Sequence, residues 1–517
     1  MQELQLILSP EQAFDNDYIK RKISEKIGAT INDISGFKIV KKSIDARSRF
    51  PLVILQLRAF VNEQPEYKYE NTFNYQDVSK KEEVVIVGAG PAGLFAALRL
   101  IELGFCPIIL ERGKNVHERK IDIANISRNK ELNEDSNFCY GEGGAGTFSD
   151  GKLYSRSTKR GNIRRIIEIF HYHGAQDEIL YEAQPHIGTD KLPLVVSNIS
   201  KTITDCGGKL LFNSKVLDIL VDKDRVTGVK LADNFIIRSK NVILAAGHSA
   251  KDIYEILQAK NIALQAKGFA VGVRVEHSQD FINDVQYKGN KSRFLPSASY
   301  SLTTQINGRG VYSFCMCPGG IIVPSATEHN HIVINGMSSS TRNSPFANAG
   351  IVVELHPEDL KDFHKYGEMC GLYFQRNLEN LAFVNNGGNN QQAPAQRLDD
   401  FVKGKLSSSL PKCSYLPGVI SSPTHFWLPD LISKRLQEGF KDFNKKIKGF
   451  VTSDALVAGV ETRTSSPVRI PRNDNLQHIQ IKGLYPCGEG AGYSGGITSS
   501  AIDGERAAEQ IKLTVMN

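Results

Sequence analysis

An apolar run that ends in a glycine-rich turn constrains the fold of this 517-residue chain more than any other feature. Residues 84–98 read VVIVGAGPAGLFAAL, which places the pattern G-x-G-x-x-G between an apolar strand and a helix. Gly88 permits a tight turn, Gly90 lets the backbone approach a diphosphate, and Gly93 allows close packing of the helix on the strand. The helix N-terminus then offers free N–H groups and partial positive charge to that diphosphate.

A second strand at 107–110 ends in an acidic residue, Glu111, 23 positions after Gly88. A carboxylate at this position typically accepts a hydrogen bond from a ribose hydroxyl, and it disfavours a 2′-phosphate. The complete unit of strand, turn, helix, strand and acid therefore predicts a dinucleotide-binding α/β domain.

The other end of the chain carries a second glycine-rich segment. Residues 483–497 read GLYPCGEGAGYSGGI, which indicates a strand, a glycine loop and a helix. This segment resembles the C-terminal flavin segment of the glutathione-reductase-like FAD superfamily, with Glu489 where the superfamily usually has Asp. The strand 241–247, NVILAAG, resembles the superfamily's small-small-glycine marker. Three markers in this order imply FAD rather than NAD as the cofactor.

A closer resemblance extends over nearly the whole chain. The runs that carry it are 142–153 (EGGAGTFSDGKL), 185–192 (PHIGTDKL), 247–252 (GHSAKD), 314–320 (FCMCPGG) and 461–467 (ETRTSSP). Through these runs the chain resembles a widespread, poorly characterised family of FAD-dependent dehydrogenases within that superfamily. The resemblance implies an α/β fold with a Rossmann-like FAD-binding domain of three-layer ββα architecture, an inserted mixed β-rich substrate or cap domain, and a small N-terminal α+β module.

The composition shifts along the chain predict three domains. The expected divisions are 1–78 for the N-terminal module, 79–255 with 452–517 for the FAD-binding domain, and 256–451 for the inserted cap domain. A polar stretch at 62–81 is expected to be a linker. Within these domains we expect helices at 194–206, 428–446 and 497–512, and a β-meander over 209–220, 226–231 and 235–237.

The glycine-rich loop 141–151 is a further candidate for the cofactor site. It has five glycines in eleven residues, and the N–H groups that such a loop frees suit an anion or the polar edge of a flavin. A purely structural loop is the alternative. The predicted cofactor-binding residues are Gly88, Gly90, Pro91, Ala92, Gly93, Glu111, Arg112, Gly144, Gly146, Thr147, Ser149, Lys152, Val216, Ala246, Gly247, Gly488, Glu489, Gly496 and Ile497.

Three residues are candidates for catalysis: Lys152, Cys317 and Arg463. Cys317 stands where a strand-like run meets a Pro-Gly-Gly turn, so it either donates a proton or forms an adduct at the flavin, or is a packed free thiol. Arg463 either pairs with an acidic substrate or forms a structural salt bridge. His248, after the Gly247 turn, either faces the site or begins a helix.

No second strand–glycine–helix unit for NAD(P)H is found between the two flavin segments. We therefore expect an FAD-dependent oxidoreductase, a dehydrogenase or reductase that transfers a hydride between a small organic substrate and FAD. Transient NAD(P)H or a protein electron carrier is a further expected partner. The alternatives are a flavin monooxygenase of the same fold and a non-catalytic FAD-binding protein that docks a partner.

Charge and cysteine usage exclude other classes. The formal net charge of +7 is spread without a basic arm, which argues against a nucleic-acid partner. Eight scattered cysteines without paired zinc-ligand spacing predict reduced thiols, no metal site and a cytoplasmic protein. Neither a signal peptide nor a membrane span is expected.

Overall fold

A computed structural model describes residues 1–66, 72–128, 131–154, 161–388 and 390–516. The expected linker at 62–81 falls partly outside the described residues, at 67–71. Among the described residues, no helix combines the length and the apolar character needed to cross a bilayer.

The N-terminal module is a three-stranded antiparallel sheet with one helix. Its elements are β1 (Gln2–Leu8), α1 (Asn16–Ile27), β2 (Ile34–Asp45) and β3 (Leu52–Val61), in the sheet order β1-β3-β2. Helix α1 begins at Asn16, because the Asp15 side chain accepts the N–H groups of Asp17 and Tyr18 and so caps it. The module has a core of its own, which includes Leu6, Ile19, Ile23, Leu55 and Leu57.

The dinucleotide domain begins directly after the linker. Its first part consists of β4 (Glu83–Val87), α2 (Pro91–Leu103), β5 (Cys106–Leu110), α3 (Val116–Ser127), α4 (Ile163–Tyr172), α5 (Leu192–Asp205), β6 (Lys209–Leu211), β7 (Val216–Asp222), β8 (Arg225–Leu231), β9 (Ile236–Arg238), β10 (Val242–Leu244) and α6 (Lys251–Ala259).

The inserted domain is mostly strand. It consists of β11 (Gln265–Ala266), β12 (Phe269–Ser278), α7 (Gln279–Gln286), β13 (Thr303–Ile306), β14 (Arg309–Cys317), β15 (Gly320–Pro324), β16 (Ile334–Ser338), β17 (Phe346–Leu355), α8 (Cys370–Val384), β18 (Ala393–Arg397), α9 (Leu398–Lys403), β19 (Val419–Ser421), α10 (Thr424–Trp427), α11 (Asp430–Lys446) and β20 (Leu456–Glu461). The chain then returns through β21 (Val468–Arg469), β22 (Leu484–Pro486) and α12 (Ile497–Met516).

The three-layer ββα architecture is confirmed. A parallel sheet of order β22-β10-β4-β5-β6 lies in the middle. Because side chains alternate along a strand, Val84 and Ile86 of β4 face helices α2, α4, α5 and α12. Val85 and Val87 face the antiparallel sheet β7-β8-β9. The expected meander over 209–220 is wrong at its start, because residues 209–211 pair with β5 in the parallel sheet and the meander begins at Val216.

The cap domain is built on a seven-stranded sheet of order β13-β14-β17-β12-β20-β18-β19. Helices α8, α9 and α11 cover it with Phe374, Phe401, Phe440 and Phe443. Strand β20, which the sequence division assigned to the dinucleotide domain from residue 452, pairs with β12 and β18 in this sheet. We therefore propose that the return to the dinucleotide domain starts after Glu461.

Candidate functional site

A deep cavity opens at the carboxyl ends of β4, β10 and β22, where open α/β sheets bind their ligands. Its empty volume is about 1360 Å³, including the open mouth, and side chains of both large domains line it. The predicted cofactor residues that line it are Gly88, Gly90, Pro91, Ala92, Glu111, Arg112, Gly144, Gly146, Ser149, Val216, Ala246, Gly247, Glu489, Gly496 and Ile497. Gly93, Thr147, Lys152 and Gly488 are not among the lining residues.

The three glycines of the first turn differ in what surrounds them. Gly88 has a φ of 105°, and a Cβ there would lie 2.5 Å from the Ala245 carbonyl oxygen. A Cβ on Gly93 would lie 1.9 Å from the Gly88 carbonyl oxygen, so the helix packs closely on the turn. A Cβ on Gly90 would have no protein atom nearer than the Gly144 Cα at 3.9 Å. Gly90 therefore leaves open space at the cavity wall.

Two helix N-termini meet at the cavity. Helix α2 starts at Pro91 and no side chain caps it. Helix α12 starts at Ile497, after Gly496 with a φ of 113°. Uncapped N–H groups and the positive end of each helix dipole attract anions. Both ends are thus suited to the phosphates or the electron-rich edge of a flavin dinucleotide.

Glu111 braces the glycine turns. It is 5% exposed, and its carboxylate accepts the N–H groups of Ala89 at 2.8 Å, Gly113 at 2.9 Å and Gly141 at 2.9 Å. The sequence predicted a ribose contact for this carboxylate and did not predict the bracing. Three of its roughly four acceptor positions are occupied by the backbone.

Arg119 holds the glycine-rich loop from behind, and the sequence analysis missed it. The side chain is fully buried and donates to the carbonyl oxygens of Asn137 at 2.8 Å, Phe138 at 3.0 Å and Glu142 at 2.8 Å. An arginine on an otherwise ordinary amphipathic helix gives no sequence signal of this role.

Three polar residues among the predicted cofactor-binding residues make hydrogen bonds or ion pairs with other protein groups. They are Thr147, Ser149 and Arg112. The Thr147 hydroxyl donates to the Glu142 carbonyl oxygen at 3.0 Å, and the Ser149 hydroxyl donates to that of Gly146 at 2.7 Å. Arg112 pairs with Asp252. These three contacts shape the cavity wall.

His248 and Glu489 form a polar pair in the cavity wall. Their Nδ1 and Oε2 atoms are 3.3 Å apart, and both residues line the cavity. His248 Nε2 is buried and has no hydrogen-bond partner among the described residues. A buried polar atom of this kind is normally satisfied. This atom, the N-termini of α2 and α12 at the cavity and the open space beside Gly90 together fit a bound dinucleotide.

The three candidate catalytic residues have different surroundings. Lys152 donates to the Met316 carbonyl oxygen, and its Nζ atom lies 3.5 Å from Oδ2 of Asp150. It therefore bridges the two domains behind the cavity wall. Cys317 is fully buried. Arg463 lines the cavity, but its guanidinium pairs with Glu379 at 2.9 and 3.1 Å. This contact is the structural salt bridge that the sequence analysis gave as one of two alternatives for Arg463.

The cap domain closes the cavity with residues that the sequence analysis did not select. They are Phe314, Cys315 and Asn335, and Thr464 of the segment that follows β20 lines the cavity beside them. The Pro-Gly-Gly turn at 318–320 did indicate a close approach at this strand end. At this turn the sequence analysis selected Cys317, whereas Cys315 is the cysteine that lines the cavity.

Comparison with known proteins identifies the family. A model described as FAD-dependent protein, C-terminal domain-like, matches residues 268–464, and a pyridine nucleotide-disulphide oxidoreductase model matches residues 82–286. Residues 1–60 match a domain of unknown function. An uncharacterized protein of Clostridium beijerinckii is 40% identical over 522 residues, which is 96% of either chain.

One further curated sequence and one solved structure show weaker similarity to this chain. The thiamine thiazole synthase of Aeropyrum pernix is 24% identical over 217 residues, which covers 39% of this chain and 67% of its own. The L-proline dehydrogenase from P. horikoshii is 12% identical with a TM-score of 0.35, over 84% of this chain and 94% of its own. The chain belongs to the family of FAD-dependent proteins that its full-length relative and the two domain models define, and it is an FAD-dependent oxidoreductase.

Proposed function

We propose that this protein is a dehydrogenase or reductase that transfers a hydride between a small organic substrate and FAD. The observation that carries the proposal is the two-sided cavity. Glycine turns and helix N-termini form one side, and Phe314, Cys315 and Asn335 of the cap domain form the other. A substrate held between the two sides would lie against the flavin and be shielded from water.

The proposed FAD contacts follow from the wall of the cavity. The turn at Gly88 and Gly90, with the N-terminus of α2, would hold the diphosphate. His248 and Glu489 would hold the ribityl or diphosphate portion. The N-terminus of α12 would stabilise negative charge on the flavin ring. When bound, FAD supplies a two-electron hydride acceptor, and the chain supplies orientation, exclusion of water and the positive charge.

The source of electrons is the second part of the proposal. In the described residues between β10 and β22, no further parallel strand followed by a glycine turn and a helix is present. This favours reduction by the substrate itself, or by NAD(P)H or a protein carrier that binds transiently. A small organic substrate is expected in each case, whichever donor reduces the flavin.

An anaerobic screen tests the proposal. Purified holoprotein is mixed with panels of alcohols, amines, amino acids and reduced nicotinamides, and loss of the visible flavin absorbance is followed. Bleaching by an organic substrate, with its two-electron oxidised product, is the expected result. Oxygen consumption with a hydroxylated product would instead assign a monooxygenase. A flavin that no donor reduces would point to a non-catalytic FAD-binding protein.

A further inference from the structure

The cap strand β14 contains a β-bulge at the cavity. Phe314 pairs with Gly350 of β17 and Cys317 pairs with Asn348, so Cys315 and Met316 together oppose a single residue. Cys315 has a φ of 44°, which is uncommon for a residue other than glycine. Bulges of this kind redirect side chains and occur beside active sites. Here the bulge separates two cysteines that a regular strand would place on one face.

The two cysteines consequently have different surroundings. Cys315 lines the cavity beside Phe314 and Asn335. Cys317 is fully buried behind it, and its thiol lies 3.3 Å from the Cys315 carbonyl oxygen. The Cys315 sulfur can therefore reach a ligand, whereas the Cys317 sulfur lies behind it against the Cys315 backbone.

Two buried cations face this segment from different elements. Lys152 donates to the Met316 carbonyl oxygen. Arg274 of β12 is fully buried and its Nη1 lies 3.4 Å from the Cys315 carbonyl oxygen. The neighbouring carboxylates are already paired, because Asp150 bonds to Arg342 at 2.6 Å and Glu461 bonds to Arg274 at 2.9 Å. The net local charge thus favours an anion on the cavity-facing sulfur.

We propose that Cys315 is a thiolate that accepts and returns the substrate's proton in the reaction proposed above, and that Cys317 positions it. This inference rests on that proposed function. A substrate with a C–H bond next to an O–H or N–H bond would lose the C–H hydrogen with its electron pair to the flavin. The O–H or N–H proton would pass to the Cys315 sulfur, and a C=O or C=N bond would form. In the reverse direction the thiol returns the proton.

The titration of the pair agrees with this geometry. The Cys317 thiol can turn from the carbonyl oxygen to the Cys315 sulfur, and that hydrogen bond, with the Lys152 and Arg274 charges, lowers the pKa of Cys315 against the opposing effect of burial. The same contact, with burial, raises the pKa of Cys317. Of the two thiols, Cys315 is therefore the one that loses its proton more readily.

Difference titration of the holoprotein tests the proposal without any substrate. The ultraviolet thiolate absorbance of Cys315→Ser is subtracted from that of the wild type across a pH series. We expect a midpoint below the value of about 8.5 of an ordinary thiol. Cys317→Ala should raise that midpoint, and Cys317→Ser, which keeps a donor, should restore much of the shift. The half-buried Cys206 is the matched control. Because burial raises the pKa of its thiol, its thiolate absorbance should have a midpoint above that of an ordinary thiol.

A midpoint for Cys315 at or above that of an ordinary thiol would overturn the proposal, even if a substrate bleaches the flavin. A low midpoint in a protein whose flavin no donor reduces would remove the proposed function, and the proton-transfer role with it. With a reducing substrate in hand, Cys315→Ser should bind FAD normally and slow flavin reduction by roughly 10²–10⁴-fold. Reduction at the wild-type rate would refute the role.

Discussion

Gly90 and Gly93 belong to one turn, but they should respond to substitution in opposite ways. Gly90 has an ordinary φ of −76° and open space beside it. We expect Gly90→Ala to leave the circular dichroism and thermal midpoint of the FAD-free protein unchanged and to weaken FAD binding at least about tenfold, or about 1.4 kcal/mol. Gly93→Ala would place its Cβ 1.9 Å from a carbonyl oxygen, so we expect little folded protein. Wild-type FAD affinity in Gly90→Ala would mean that the diphosphate lies elsewhere.

Glu111 should affect both FAD binding and stability, because its carboxylate bonds to three backbone N–H groups. Glu111→Gln replaces one acceptor oxygen with an NH₂ group that faces a donor. A hydrogen bond to a charged group contributes about 1.5–3 kcal/mol, so we expect a lower thermal midpoint without FAD and roughly 10–100-fold weaker FAD binding in a fluorescence titration. Glu118→Gln, on the exposed side of α3, is the control. Unchanged values in Glu111→Gln would contradict the bracing role.

At the residue scale, the sequence best predicted those residues whose role depends on backbone geometry. The roles of Gly88 and Gly93 follow from sterics that any such turn imposes. The choice between Cys315 and Cys317 depends instead on one extra residue in β14 opposite β17. A bulge is defined by pairing with a distant strand, so nothing in the run FCMCPGG reveals it.

At the scale of elements, the sequence predicted whether a segment is a helix or a strand better than it predicted which sheet a strand joins. Helices α5, α11 and α12 lie within a few residues of their predicted bounds, because their periodicity is local. Residues 209–211 were predicted to belong to the meander, but β6 pairs with β5 in the parallel sheet. Strand β20 follows the predicted domain division at residue 452, and it pairs with β12 in the cap sheet. A strand's own residues do not encode which sheet it joins.

Strand β12 carries a buried carboxyl group that should make the cap domain sensitive to pH. Burial raises the pKa of Glu276 to about 7, against hydrogen bonds from the hydroxyl and N–H groups of Ser414. Because the pKa of Glu276 is higher in the folded protein than in the unfolded chain, its contribution to folding stability is full below the unfolded pKa. That contribution is lost as the pH rises through about 7. The thermal midpoint of Glu276→Gln should therefore rise relative to the wild type from about pH 5 to about pH 8.

The exposed Glu438 of α11 offers the matched control for this pH experiment. Glu438→Gln should differ from the wild type by a small amount that does not change with pH. A constant difference for Glu276→Gln over the same range would show that its carboxyl group titrates normally in the folded protein.

At the scale of the whole molecule, polar contacts fix the cap domain over the dinucleotide domain. Asp150 pairs with Arg342 at 2.6 Å. Asp190 accepts the N–H and hydroxyl groups of Ser340 at 2.6 and 2.7 Å. These contacts join the glycine-rich loop region to the turn between β16 and β17. The cavity therefore has two walls held in a defined relation.

The N-terminal module is attached more lightly. It has its own core, and it contacts the dinucleotide domain through Lys42, which pairs with Glu182 at 3.0 Å and donates its N–H group to the Tyr181 carbonyl oxygen at 2.8 Å. Phe73, Tyr75 and Val78 behave differently, because they pack into the core around helix α2. We therefore propose that the functional boundary of the module lies before residue 73 rather than at 78.

Two truncations that differ by seven residues test this boundary. Removal of residues 1–71 should leave a folded protein with wild-type FAD affinity, because most of the lost apolar contacts lie within the module's own core, although Ile44 and Ala46 also pack against the cap-domain core. Removal of 1–78 also deletes the fully buried Val78 side chain, its N–H bond to the Cys206 carbonyl oxygen at 2.8 Å and the Gln76 bond to the Glu102 carbonyl oxygen at 3.0 Å. We expect a lower thermal midpoint and poorer FAD retention for that chain, and a smaller loss of the same kind for Val78→Ala at full length. If the shorter truncation were insoluble or free of FAD while the full-length protein behaved normally, the module would be part of the folding core.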